Sequence, residues 1–158
     1  MRQFRARLDQ LREQLRPLPV IGVVEPGADA AISAAPHASH LVLATEATVQ
    51  LGAYRRALTA RDPDAEIREH ACEMLVSLAE EGWNDGDIAR AIIRRYLEEA
   101  TIGGFAADTI ILGCTHFPLL RDVIAEVAER SAADPYCWLV DLRAVLAETA
   151  KLLDGTSP

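Results

Sequence analysis

Short apolar runs that end in a polar turn, each followed by an amphipathic stretch, recur along almost the whole chain, and this alternation restricts its fold more than any other feature. "PVIGVVEPG" (Pro19 to Gly27) is a continuous apolar run closed by a Pro-Gly turn signal, and "ADAAISAA" follows it as a small helix. "HLVLATEAT" (His40 to Thr48) repeats the pattern ahead of the helical "VQLGAYRRALTA". "AEIREHA" (Ala65 to Ala71) precedes "CEMLVSLAEEGW", a helix expected to stop at Gly82, and Asn84 or Asp85 then caps the long helix that includes "IARAIIRRYLEEA". "DTIILG" (Asp108 to Gly113) and "CWLVD" (Cys137 to Asp141) are the last two runs, with "LRAVLAETAKLL" after them.

Runs without polar alternation suit strands covered on both faces, and strands that alternate with helices build a parallel sheet. The expected fold is therefore α/β, a single domain over residues 18–141 with a parallel, doubly wound sheet of four to five strands. An amphipathic helix over 1–17 comes before it, and a helix and tail over 142–158 come after. In the first helix Phe4, Leu8, Leu11 and Leu15 form one narrow apolar stripe, which either packs on this chain or covers another subunit.

The chain has 158 residues, enough for one ordinary domain. Its 16 basic and 24 acidic residues give a formal charge of −8, the wrong sign for neutralising phosphates, which argues against nucleic acid as a partner. No apolar run approaches the ~18–20 residues that span a bilayer, and "MRQFRARLDQLREQLRP" is too charged for a secretory signal, so the expected location is the cytoplasm with no membrane partner. Cys72, Cys114 and Cys137 are widely spaced and contain no CxxC pair, so neither a disulfide framework nor a metal site is indicated.

In a doubly wound sheet, ligands bind beyond the carboxyl ends of the strands, where helix N-termini begin. Four strand-to-helix turns are expected on that rim: Glu25-Pro26-Gly27, Thr45 to Thr48, Cys72-Glu73 and Gly113-Cys114-Thr115-His116. The last is the richest, because Pro118 suits the first turn of a helix and would place Cys114 at its positive end with His116 close by. A thiol placed so can act as base or nucleophile; alternatively Cys114 is a small buried hydrophobe. No GxGxxG or GKS sequence follows a run, so a phosphate cradle is not supported.

At "GCTHFPLL" the chain resembles the second catalytic cysteine motif of the cofactor-independent glutamate racemases, in the aspartate/glutamate racemase superfamily. "PVIGVVEPGA", the T-x-x-T of Thr45 and Thr48 with "GAYRRAL", "EEGW" (Glu80 to Trp83), "RRYLE" and "LVD" extend the resemblance over most of the chain. The resemblance implies two α/β domains that face each other across a cleft, each with one cysteine. One thiolate removes the α-proton of glutamate and the other thiol returns a proton on the opposite face, with neither pyridoxal phosphate nor metal. It further implies that Cys114 deprotonates the L enantiomer and that Thr115 and His116 bind substrate, His116 also assisting proton transfer. Glu80 would be an acid/base partner, and Thr45 and Thr48 would hold substrate. The bland readings are a solvated charge for Glu80 and a helix cap for Thr45.

The resemblance starts inside a helix, downstream of the family's "A-C-N-T-A" turn, so the first half-site is expected to be absent, and Leu142 stands where a serine is usual. Cys72 would approach from the same domain, and Cys137 reads as core, so neither replaces the second thiol. Three readings follow: a racemase by descent with impaired activity in supplying D-glutamate for peptidoglycan; a homodimer in which two Cys114 thiols face one amino acid; or a non-catalytic binding or regulatory remnant, or half of a split enzyme.

Overall fold

The structure, a computed structural model, describes residues 2–17, 22–131 and 138–140. Its elements are α1 (Arg2–Gln14), α2 (Val24–Ala34), β1 (Ser39–Ala44), α3 (Glu46–Leu51), α4 (Ala53–Arg61), β2 (Glu66–Ala71), α5 (Glu73–Glu80) and α6 (Asp87–Ala100). Then come β3 (Thr109–Leu112), a 3₁₀ turn (Phe117–Leu120), α7 (Arg121–Ser131) and β4 (Trp138–Val140). The described strands form one four-stranded parallel sheet in the order β2-β1-β3-β4.

The apolar runs are buried on both faces, as the lack of alternation predicts. Leu41 and Leu43 of β1 and Ile110 and Leu112 of β3 join the core made with α5, α6 and α7, where Leu75, Ile93, Phe117 and Ile124 are sealed from solvent. Val42 and Ala44 of β1 and Ile111 of β3 face the other way, onto Ala28 and Ala31 of α2 and Tyr54 and Leu58 of α4. On α6 the buried residues Ala89, Ile93, Leu97 and Ala100 recur at helical spacing.

The chain moves outward from β1 to β2 through α3 and α4, then returns past β1 to β3 through α5 and α6. Successive connections therefore diverge between β1 and β3, and the crevice beyond their carboxyl ends is the switch point of the sheet.

Three expectations are corrected. Val24 to Gly27 are the first turn of α2 and not the end of a strand; Pro26 fits there because the first turn asks no backbone donor of it. Gly22 and Val23 are not strand either, and residues 19–21 of that expected strand lie outside the described residues, as do Cys137 and the segment after Val140. The stretch from Val49 to Ala60 is two helices, divided at Gly52, whose φ of 57° and ψ of 32° are left-handed and whose N–H closes α3 onto Thr48 and Val49 carbonyls. The cap of α6 is Gly86, not Asn84 or Asp85; the Asp85 carboxylate accepts from the Gly86 N–H and pairs with Arg90 instead.

His40 at the start of β1 is fully buried, with Nδ1 2.7 Å from Thr109 Oγ1 of β3 and Nε2 without a partner among the described residues. Burial lowers its pKa from 6.5, against the weaker opposing pull of Asp108 and Asp62, and burial lowers that of His70 with Glu99 opposing. A depressed histidine binds its proton less readily folded than unfolded. Stability is therefore full above the unfolded value of 6.5 and falls as pH drops from there toward the folded values. His40→Gln is expected to shrink the fall in Tm between pH 7.5 and 5.5, followed by circular dichroism. Leu43→Ala, at the sheet centre, should cost about 3 kcal/mol in urea unfolding.

Candidate active site

Strand β1 stops at Ala44 because Thr45 turns the chain: with φ −72° and ψ 156° it is the N-cap of α3, and its Oγ1 accepts from Thr48 N–H at 3.4 Å. The two hydroxyl oxygens lie 3.0 Å apart. Thr45 is thus a cap, as its bland reading held, and the capping geometry also pairs the two threonine hydroxyls at the rim.

Strand β3 stops at Leu112, paired with Leu43, and Gly113 N–H still donates to the Leu43 carbonyl at 2.8 Å. The same register carried two residues further brings Cys114 alongside Thr45. A Cβ on Gly113 would lie 3.1 Å from Ala44 Cβ, from the Leu43 carbonyl oxygen and from Tyr54 Cε2, so this position needs glycine for space.

Past Gly113 the chain makes a tight turn in which Phe117 N–H donates to the Cys114 carbonyl at 3.2 Å. Fully buried Phe117 anchors it. Pro118 falls in the first turn of the 3₁₀ segment, and the α-helix proper opens only at Arg121. The expected helix end at Cys114 is therefore displaced by a 3₁₀ turn, and the dipole of α7, whose effect is confined to a helix's first turn, acts from further away than the sequence suggested.

The nearer influence is His116. Its Nδ1 stands 3.6 Å from Cys114 Sγ, and its Nε2 stands 3.4 Å from Glu80 Oε1 at the C-terminus of α5. Cys114 is half-buried, packed on one side against the α5–α7 core, while Thr115 is exposed. Thiol, imidazole and carboxylate so form a relay open to solvent at its far end. Nδ1 can take the thiol proton or return it, and Glu80 can balance the charge on the ring. The structure brings Cys114, His116 and Glu80 into one chain of contacts, with Thr115 between the first two in sequence and Thr45 and Thr48 on the adjoining turn.

Cys72 also lies at a strand end, its N–H donating to the Ala44 carbonyl at 2.8 Å. Its side chain turns inward. Sγ is 3.7 Å from the His70 carbonyl, the residue is fully buried, and burial first, then Glu99 and Glu73, push the thiol up to about 12. A thiol so placed stays protonated and inert.

Among the described residues, His37, Asp62 and Asp64 are the group that could hold a metal ion, their ligand atoms within 4.8 Å of one another. They stand at the amino ends of β1 and β2, on the opposite sheet edge from Cys114. His37 N–H and ring already satisfy the Asp62 carboxylate, at 2.7 and 3.1 Å.

The sequence reading did not connect Tyr54 with this site. Its ring lies beneath Gly113, a proximity that depends on the Gly52 break and on the β1–β3 register.

A sequence model of the family described as Asp/Glu/Hydantoin racemase matches residues 5–149. The chain belongs to that family. It is 40% identical over 144 residues to a glutamate racemase of Sulfurihydrogenibium sp., covering 91% of this chain and 52% of the relative. A glutamate racemase of Desulforudis audaxviator is 41% identical over 135 residues, covering 85% and 47%. Among solved structures, the glutamate racemase of Francisella tularensis in complex with D-glutamate superposes with a TM-score of 0.74 at 27% identity, over 94% of this chain and 52% of that one. The Thermus thermophilus glutamate racemase gives 0.64 at 34% identity, over 92% and 52%. The chain thus spans about half the length of the relatives it matches. No helix of the described residues is long and apolar enough to cross a membrane.

The contrast between the two described thiols is directly measurable. Iodoacetamide at pH 7.5 is expected to modify Cys114 and spare Cys72 in the native protein, and to modify both in urea, as read by peptide mass mapping.

Proposed function

We propose that this chain is one half-site of a glutamate racemase, working through thiol chemistry that requires neither pyridoxal phosphate nor metal. The observation that carries the reading is the Cys114–His116–Glu80 relay at the mouth of the β1/β3 switch point. The Cys114 thiolate removes the α-proton of L-glutamate. The electron pair left behind delocalises into the α-carboxyl group, and His116, backed by Glu80, handles the proton. Thr115 and the paired hydroxyls of Thr45 and Thr48 supply donors for the substrate carboxylates.

Inversion needs a second acid on the far face of the planar carbanion, since a single thiol on one side returns the proton to the side it left. Cys72 is buried and faces inward, so among the described residues no second thiol faces the site. The partner thiol is supplied by a complementary half or by a second copy of this chain about a twofold axis. The second-copy reading is supported by Leu11 of α1 and Leu15 just after it, which are 42% and 44% exposed. The complete assembly would supply D-glutamate for peptidoglycan in the cytoplasm.

Incubation with L-glutamate in deuterated water, followed by proton NMR and chiral chromatography, tests the reading. A two-thiol assembly exchanges the α-proton with inversion, and a lone half-site exchanges it without. Cys114→Ser is expected to abolish either, and exchange that survives this substitution overturns the role given to Cys114. Absence of exchange at high protein concentration favours a binding or regulatory remnant. His116→Gln should slow exchange by roughly 10²- to 10⁴-fold, the range typical of a lost proton-transfer group.

A further inference from the structure

The backbone that carries Cys114 rests partly on the ring of Tyr54. Tyr54 is the second residue of α4, two positions after the left-handed Gly52. Its ring lies between two glycines: an added Cβ on Gly113 would be 3.1 Å from Cε2, and one on Gly27 would be 3.4 Å from Cε1 and 3.9 Å from the hydroxyl oxygen. The residue is 5% exposed, and its ring is within contact reach of both glycine positions. Burial, then the proximity of Cys114, then that of Glu25, push the phenol up to about 12, so the group stays neutral beside the thiol. The ring is wedged between the Gly27 and Gly113 backbones.

We propose that Tyr54 is the positioning residue of Cys114, its ring fixing the height and direction of the Gly113–Cys114 turn and hence the reach of Sγ toward His116. On the side where a Cβ would stand, Gly113 faces Ala44 Cβ, the Leu43 carbonyl oxygen and the Tyr54 ring, each 3.1 Å from that point, and of these the ring is the large side chain that limits how far the turn can move that way. Without the ring, the turn settles toward α2 and draws the sulfur from its 3.6 Å approach to Nδ1. The inference deepens the reading of Cys114 as the working thiol and rests on it.

The test needs no amino-acid substrate, so its outcome is separate from that of the exchange experiment. The rate of iodoacetamide modification of Cys114 at pH 7.5 is measured by peptide mass mapping in the wild type, Tyr54→Phe, Tyr54→Leu and Gly113→Ala, with Cys72 in the same digest reporting loss of the fold. The expected result has Tyr54→Phe within about twofold of the wild type. Tyr54→Leu and Gly113→Ala should each be slower at Cys114 by roughly tenfold or more, the scale of loss from a small displacement of a reacting group, with Cys72 still protected. A general packing role predicts no slowing at Cys114 while Cys72 stays closed. Unchanged or faster modification in both ring-disturbing variants overturns the proposal, as does reaction of Cys72 in both. Slowing in Tyr54→Phe as large as in Tyr54→Leu also overturns it, since the hydroxyl and not the ring would then set the thiol. If the glutamate exchange fails while this pattern holds, only the racemase reading falls.

Discussion

Strands β1 and β3 lie side by side in parallel register and end within a residue of each other, and the chemistry at the rim follows from that pairing. His40 meets Thr109 at one end of the pair, and Leu43 meets Leu112 near the other. Past the ladder, Thr45 and Cys114 have nowhere to go but up and apart, into the crevice created because the chain winds away from β1 in both directions. The apolar β1 and β3 side chains, packed on both faces, make this geometry stiff: sliding one strand by a residue would swap the faces of Leu41, Val42 and Leu43 and empty both cores. The half-site is held by the core and not by its own hydrogen bonds.

Two thiols leave strand ends on the same rim, one on either side of β1, and their different fates illustrate how little of reactivity is decided by position in a topology diagram. Cys72 follows β2 and starts α5 directly, so its side chain rolls into the α5–α6 core and its proton becomes hard to remove. Cys114 is separated from its strand by Gly113, and the intervening 3₁₀ turn delays the helix by a full turn. That delay gives up most of the helix dipole at the sulfur. In exchange it swings His116 round to face it, with Glu80 behind.

Much of this was legible in the residues. The unbroken apolar runs at His40 to Ala44 and Asp108 to Leu112 specified central parallel strands, and Thr45, Gly82, Cys114 and His116 carry signals that act within a few residues. What was not legible depends on packing or on left-handed backbone. Pro26-Gly27 reads as a turn by composition, yet proline is equally at home in a helix's first turn, and only the contact of Gly27 with Tyr54 shows why the helix runs through it. Gly52 breaks a stretch whose periodicity is helical on both sides. Asp85 is a good cap by type but is occupied by Arg90. The Glu80 contact spans 36 residues of sequence and could be named only through the family resemblance; composition would have left it in solvent.

Racemisation by two thiols needs a base on one face of the α-carbon and an acid on the other, and a doubly wound domain offers its strand-end groups on one rim only. Any such domain must therefore meet a second rim. The architecture makes this easy to arrange, because a parallel sheet has all its strand ends on one side and two sheets can be brought rim to rim by a rotation of half a turn. Such an axis would pass through the space between the two thiols, and a small amino acid lying across it would present one face to each. On the proposed reading, the chain provides one such rim, with Cys114, His116 and Glu80 in contact on it. It also carries exposed leucines, Leu11 on α1 and Leu15 just after it, and a helix polar on one side and apolar on the other gains by burying the second. If those leucines close the contact, the same burial that completes the assembly also sets the distance between the thiols, and affinity for the second half and competence in catalysis become one quantity.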